Sequence, residues 1–157
     1  MLRTTGIHHV TSISGGAQRN VDFYVGTLGL RLVKRTVNFD DPGTWHLYYG
    51  DRTGSPGTLI TFFPWEGAHP GVAGAGEVAA TAYSIPHAQL LEWAESRGLE
   101  GQPQERFGQP VLSFRDTDGS WLELVGDAGE GTRDTEAEDV TGFHGVTLAV
   151  RDPEPTA

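Results

Sequence analysis

The apolar positions of the chain follow one pattern twice and begin it a third time. Ile7 to Ile13 is rich in β-branched residues and predicts a strand. After a Gly-Gly turn, Val21, Tyr24, Val25 and Leu28 stand at i, i+3, i+4 and i+7, which is one face of a helix. Gly29 follows as its stop. Leu30 to Phe39, Trp45 to Tyr49 and Leu59 to Phe63 then predict three strands. The turn sequences DDPG (Asp40 to Gly43) and DRTGSPG (Asp51 to Gly57) separate them. Residues 1–66 therefore form a βαβββ module.

A glycine-rich stretch over 67–76 interrupts, and the order restarts. Val78 to Ile85 predicts a strand, and Pro86 can open a helix. His87, Leu90, Leu91 and Ala94 repeat the helical spacing, and Gly98 ends it. The second strand of this module is the weakest and falls near Arg106. Val111 to Arg115 and Trp121 to Val125 are clearer, joined by DTDG (Asp116 to Gly119). Residues 77–126 make the second βαβββ module.

Residues 127–141 read as a linker. Within it, Asp127 to Asp139 carries six acids against one arginine, or −5 of a net charge of −10, which fits a solvated connection. GFHGVTLAV (Gly142 to Val150) then repeats GIHHVTSIS (Gly6 to Ser14) at Gly, His, Val and Thr, 136 residues later. Residues 142–157 are thus expected to hold the opening strand of a third module, cut short. A strand without its own helix and sheet is a poor end for a domain. The expectation is that the chain is the first half of a longer protein plus the first strand of its second half. A natural short protein with an edge strand or a disordered tail is the other possibility.

Composition narrows the class. The chain has 157 residues, no cysteine and no apolar run of membrane-spanning length. Disulfides and thiolate metal sites are excluded, and no secretory leader is recognisable in MLRTTGIHH. A cytoplasmic protein without nucleic-acid or membrane partners is expected.

Paired βαβββ modules, a histidine in the first strand and WLELVG (Trp121 to Gly126) in the last resemble the vicinal oxygen chelate superfamily. That superfamily includes glyoxalase I, fosfomycin and bleomycin resistance proteins, and extradiol dioxygenases. The resemblance implies an α+β fold in which two βαβββ modules curl into a half-open mixed β-barrel, here with the first strand of a third module. HHVT, LRLVKRTVNFDD, HLYYGD and GSPGTLITFFP look more narrowly like the hydroquinone-cleaving ring dioxygenases, whose chains hold four modules.

The family resemblance implies an Fe(II) or Mn(II) ion held by two histidines and a glutamate, with positions left open for an aromatic substrate and dioxygen. Its first-strand ligand falls on His9. His8 matches a residue near the substrate proposed for acid–base work, and Thr11 a further pocket residue. The other two ligands belong to the last module, so this chain would hold an incomplete metal site. Strand alternation alone places His9, Thr11 and Ile13 on one face and His8, Val10 and Ser12 on the other. His8 would reach the site only from a frayed strand start or through a bulge.

Glu123 occupies the glutamate position of two-module relatives, yet EVAATAYSI, the first strand of its module, has no histidine. A buried carboxylate needs a partner, with Arg106, Arg115 and water as candidates. In the third repeat His144 aligns with His8, and Gly145 with His9. One metal site per complete protein is therefore expected. His46, which alternates with Tyr48, reads as a core-rim residue. The aromatic set Trp45, Tyr48, Tyr49, Phe62, Phe63 and Trp65 reads as core packing or as the wall of a ring-binding pocket.

Three readings follow. The first is the N-terminal portion of an extradiol-type dioxygenase, inactive by itself. The second is a metal-free small-molecule-binding module. The third is a single-domain glyoxalase-like or fosfomycin-resistance-like metalloenzyme that borrows a ligand such as His46 or His144 from a second subunit. Half-barrels of this kind often pair, so a dimer is expected.

Overall fold

The computed structural model describes residues 6–127 and 140–156. Most of the acidic linker lies outside the described residues. In the first module, β1 (His9–Ser14), β2 (Arg31–Val37), β3 (Trp45–Gly50) and β4 (Leu59–Pro64) form one sheet in the order β1-β4-β3-β2. β1 runs parallel to β4, and the other pairs are antiparallel. The second sheet repeats this with β5 (Glu77–Pro86), β6 (Gln102–Arg106), β7 (Gln109–Arg115) and β8 (Trp121–Asp127). β9 (Gly142–Ala149) adds itself antiparallel to the outer edge of β5. Neither sheet closes on itself, so the architecture is the expected half-open mixed α+β one.

Two helical faces differ from the periodic reading. α1 (Ala17–Val21) passes directly into a π-helical turn at Asp22–Thr27, in which the Leu28 amide bonds the Phe23 carbonyl five residues back. The wider turn rotates the face. Asn20, Phe23, Tyr24 and Leu28 are buried, while Val25, expected inside, is 39% exposed. In the second module a 3₁₀ turn at His87–Gln89 precedes α2 (Leu90–Ser96) and shifts its phase. Leu90, Trp93 and Ala94 face inward, and Leu91 is 68% exposed. β2 also stops short of Phe39, because Asn38 turns the chain by accepting the Asp40 amide on its side chain.

The larger of two apolar clusters joins the two modules. Tyr24, Tyr49 and Phe62 come from the first module, and Tyr83, Leu112, Leu122 and Leu124 from the second. The Tyr24 hydroxyl donates to Asp116 Oδ2 at 2.9 Å across this boundary. Burial first, and then the Asp116 charge, push its pKa well above the usual phenol value, so Tyr24 stays a donor. The other oxygen of Asp116 accepts the amides of Asp118 and Ser120, which fixes the β7–β8 turn. The Tyr49 hydroxyl donates to buried Asn20 at 2.8 Å.

At one end of the core, the Gly57 amide donates to the His8 carbonyl, and the Gly57 carbonyl accepts from the Phe143 amide, each at 2.8 Å. Gly57 has φ +89°, a left-handed conformation that suits glycine.

Candidate active-site face

Because strand side chains alternate, the face of each sheet turned away from the common core carries the remaining residues. On the first sheet, Val10 of β1 packs towards the core while Thr11 points the other way. β1 and β4 are in register at Thr11 and Thr61, and β4 and β3 at Thr61 and Tyr48. Three neighbouring strands therefore present Thr11, Thr61 and Tyr48 side by side, with His9 and His46 each two residues along.

Hydrogen bonds connect this row. Thr11 Oγ1 and Thr61 Oγ1 are 2.9 Å apart. Thr61 Oγ1 lies 3.1 Å from His46 Nε2, and His46 Nδ1 lies 2.9 Å from the Tyr48 hydroxyl. The His46 ring stacks at a tilt on Phe63 (4.0 Å between centroids) and on Tyr48 (4.1 Å). Lys34 Nζ lies 5.1 Å from the centre of the Tyr48 ring. Desolvation is the largest influence on His46, followed by the charges of Lys34 and His9, and all three lower its pKa below the usual imidazole value. The imidazole is held neutral.

His8 stands just before β1 begins at His9, where the pleat does not constrain it. Its Nδ1 lies 3.1 Å from His9 Nδ1, and the two rings meet edge to face. The arrangement occupies His9 Nδ1 and leaves Nε2 as the nitrogen able to take an external partner. His8, His9 and Thr11 are all exposed at this end of the sheet. His9 and Thr11 thus stand on one face of β1, and His8 lies just before the strand. Among the described residues no three His, Cys, Asp or Glu side chains converge as a metal site. His9 is one donor, not a complete ligand set.

The aromatic set divides by face. Tyr49 and Phe62 are fully buried in the common core. Tyr48 and Phe63 wall the open face with His46, and Trp45 and Trp65 are largely exposed. The hydrogen-bonded row through His46 is the part that the sequence reading missed. The alternation of His46 with Tyr48 was visible, but the strand register that brings Thr61 between them and Thr11 was not.

The second sheet has the same positions with different chemistry. Glu123 of β8 stands between Ala82 of β5 and Ser113 of β7, as Thr61 stands between Thr11 and Tyr48. Ala80 takes the place of His9, and Gly145 of β9 lies opposite Ala82. Arg106 grips Glu123 with two bonds of 2.8 and 2.9 Å, and Ser113 stands 3.4 Å away. The carboxylate is 8% exposed and the arginine side chain 38%. Arg106 is thus the partner that Glu123 required. His144 sits within 3.4 Å of Ser84 on β5.

Comparison with known proteins bears on this geometry. Residues 6–124 match the Glyoxalase/Bleomycin resistance protein/Dioxygenase superfamily. A Bacillus subtilis protein named as the ring-cleaving dioxygenase MhqO is 48% identical, aligned over 99% of this chain and 53% of its own. The chlorohydroquinone/hydroquinone 1,2-dioxygenase of Sphingobium indicum is 42% identical over 78% of this chain and 40% of its own. A crystal structure described as a Bacillus subtilis dioxygenase superposes with a TM-score of 0.89 at 45% identity, over 98% of this chain and 53% of that one. The Listeria monocytogenes fosfomycin resistance protein FosX, at 15% identity and a TM-score of 0.56 over 79% of this chain and 93% of its own, shares the fold. The chain spans about half the length of the curated relatives it matches.

Proposed function

The chain belongs to the glyoxalase/bleomycin resistance protein/dioxygenase superfamily, and on that footing we propose that it is the N-terminal portion of a metal-dependent dioxygenase that opens hydroquinone-like or catechol-like rings. The observation that carries the reading is the open face of the first sheet. There, one exposed histidine nitrogen, a threonine hydroxyl and a wall of aromatic rings share one surface. The relative named as the ring-cleaving dioxygenase MhqO aligns over 99% of the chain and so along this stretch.

In this reading His9 Nε2 supplies one ligand to Fe(II) or Mn(II), and the remaining ligands come from outside the described residues. Such an ion supplies the oxygen-activating chemistry. The chain's own residues have other tasks. His8 holds the His9 ring through Nδ1, so that Nε2 keeps one direction. Thr11 hydrogen-bonds a ring oxygen and orients it. Tyr48, Phe63 and His46 pack against the ring, which offset or edge contacts favour. Proton handling is assigned to His8.

The test is oxygen uptake with hydroquinone after anaerobic Fe(II) loading. A chain extended to the length of the relatives should consume oxygen with ring opening, and the 157-residue chain by itself should not. Turnover by the 157-residue chain would support a self-sufficient metalloenzyme instead. Hydroquinone binding without turnover in the extended protein would support a binding module.

A further inference from the structure

The row from Thr11 to Tyr48 has a property that its individual bonds do not reveal. It contains three gaps of 2.9, 3.1 and 2.9 Å. Thr11, Thr61 and Tyr48 each bring one hydroxyl hydrogen, and a neutral imidazole brings one more. Three gaps filled by four hydrogens leave one hydrogen over, and it must lie at an end. Only two arrangements fill every gap. In one, Tyr48 donates to Nδ1, Nε2–H donates to Thr61, Thr61 donates to Thr11, and the Thr11 hydrogen points out over the face. In the other, every bond is reversed: Thr11 donates inward, Nδ1–H donates to Tyr48, and the Tyr48 hydrogen is the free one. The two differ in the tautomer of His46.

We propose that Thr11, Thr61, His46 and Tyr48 form a reversible hydrogen-bond relay that lets Thr11 either accept from or donate to a ring oxygen docked beside His9. The proposal rests on the ring-substrate reading above for its ligand, but the relay itself rests on the four side chains. Its use is proton removal without charge build-up. A phenolic hydroxyl passes its proton to Thr11 Oγ1. Thr11 passes its own to Thr61, Thr61 passes its own to His46 Nε2, His46 passes the Nδ1 proton to the Tyr48 oxygen, and Tyr48 releases its hydroxyl proton to water. One proton leaves the ring, one leaves Tyr48, and no member of the row changes charge. Thr11 ends as a donor to the phenolate it has just helped to form. Thr61 and His46 are positioning residues here, acting through Thr11. Bonds in such rows polarise one another, so a change at one end is felt at the other. The neutral imidazole that the relay needs is favoured by burial and by the Lys34 and His9 charges around it.

The test uses the 157-residue chain with ¹⁵N-labelled histidine, with the His46 signals identified by their loss in His46→Asn. Nitrogen shifts report the tautomer ratio directly. Without ligand, Thr11→Val leaves the buried Thr61 hydrogen without an acceptor only in the Nε2–H arrangement, so it should move the His46 ratio by about fivefold toward Nδ1–H, and Thr11→Ser should restore it. Added hydroquinone should move His46 in the wild type but not in Thr61→Val, and Thr61→Ser should regain the response. A His46 ratio unmoved by Thr11→Val, or moved equally by hydroquinone in Thr61→Val, would overturn the relay. If hydroquinone moves no signal in this chain or in a protein of the relatives' length while Thr11→Val still moves His46, the relay stands and the ring-substrate reading falls.

Discussion

The two sheets are repeats of one topology whose open faces have diverged. On the first, the central position of the last strand is Thr61, flanked by hydroxyls and imidazoles that bond to one another and leave ends exposed. On the second, the same position is Glu123, closed off by Arg106. The first face keeps donors and acceptors available. The second satisfies its one buried charge internally and offers alanine and glycine where histidine would stand. A repeated fold thus provides two scaffolds, and the chemistry depends on a few outward-facing positions of each.

The sharpest way to break this comparison is to disable each face in turn. In a protein of the relatives' length, His9→Ala should lower ring-opening turnover by at least about a hundredfold, while Glu123→Gln should leave it within about threefold. Equal losses would mean that the second face takes part in the chemistry. The next largest effect concerns stability. Arg106→Ala leaves a buried carboxylate without its cation and should cost about 2 kcal/mol in urea unfolding. The paired change Arg106→Leu with Glu123→Leu should recover to within about 1 kcal/mol of wild type, since the pair is replaced by apolar side chains.

Tyr24→Phe removes the buried donor to Asp116, which ties the modules together, and should cost about 1.5 kcal/mol. The loss should be similar whether or not the second-face ion pair is present. The smallest effect is a pH dependence. The folded-state pKa of His46 lies below its ordinary value of 6.5. The unfolded chain therefore binds more protons than the folded one just below that pH, and stability falls as pH drops through 6.5 toward the folded value. His46→Gln should flatten this slope in unfolding curves recorded between pH 5.5 and 7.5, whereas substitutions on the second face should leave it intact.

Much of this architecture is legible in the chain itself. The βαβββ order and the restart after the glycine-rich stretch come from period and turn chemistry, both of which are local, and the echo at Gly142 comes from direct comparison with Gly6 to Ser14. The split of His9 and Thr11 from Val10 follows from alternation alone, and the need of Glu123 for a cation follows from burial cost. What escaped reading is long-range or phase-dependent. Val25 and Leu91 lie off the buried face that periodicity predicts, because a π turn and a 3₁₀ turn shift helical phase without any residue type that announces them. The bonding of Thr61 to both Thr11 and His46 depends on the register of three strands, two of which are 50 residues apart in sequence at that point. No short window contains that information.

Gly57 joins two distant parts of the chain. The plane ending in its amide holds the carbonyl of His8, and the plane beginning with its carbonyl holds the amide of Phe143. Peptide planes are stiff, so nearly all the compliance between them lies in the two torsions of one residue without a side chain. The residue before the His9 strand and the start of β9 are therefore both bonded to one residue, Gly57. A side chain at position 57 would strain both attachments together, because the left-handed φ suits glycine.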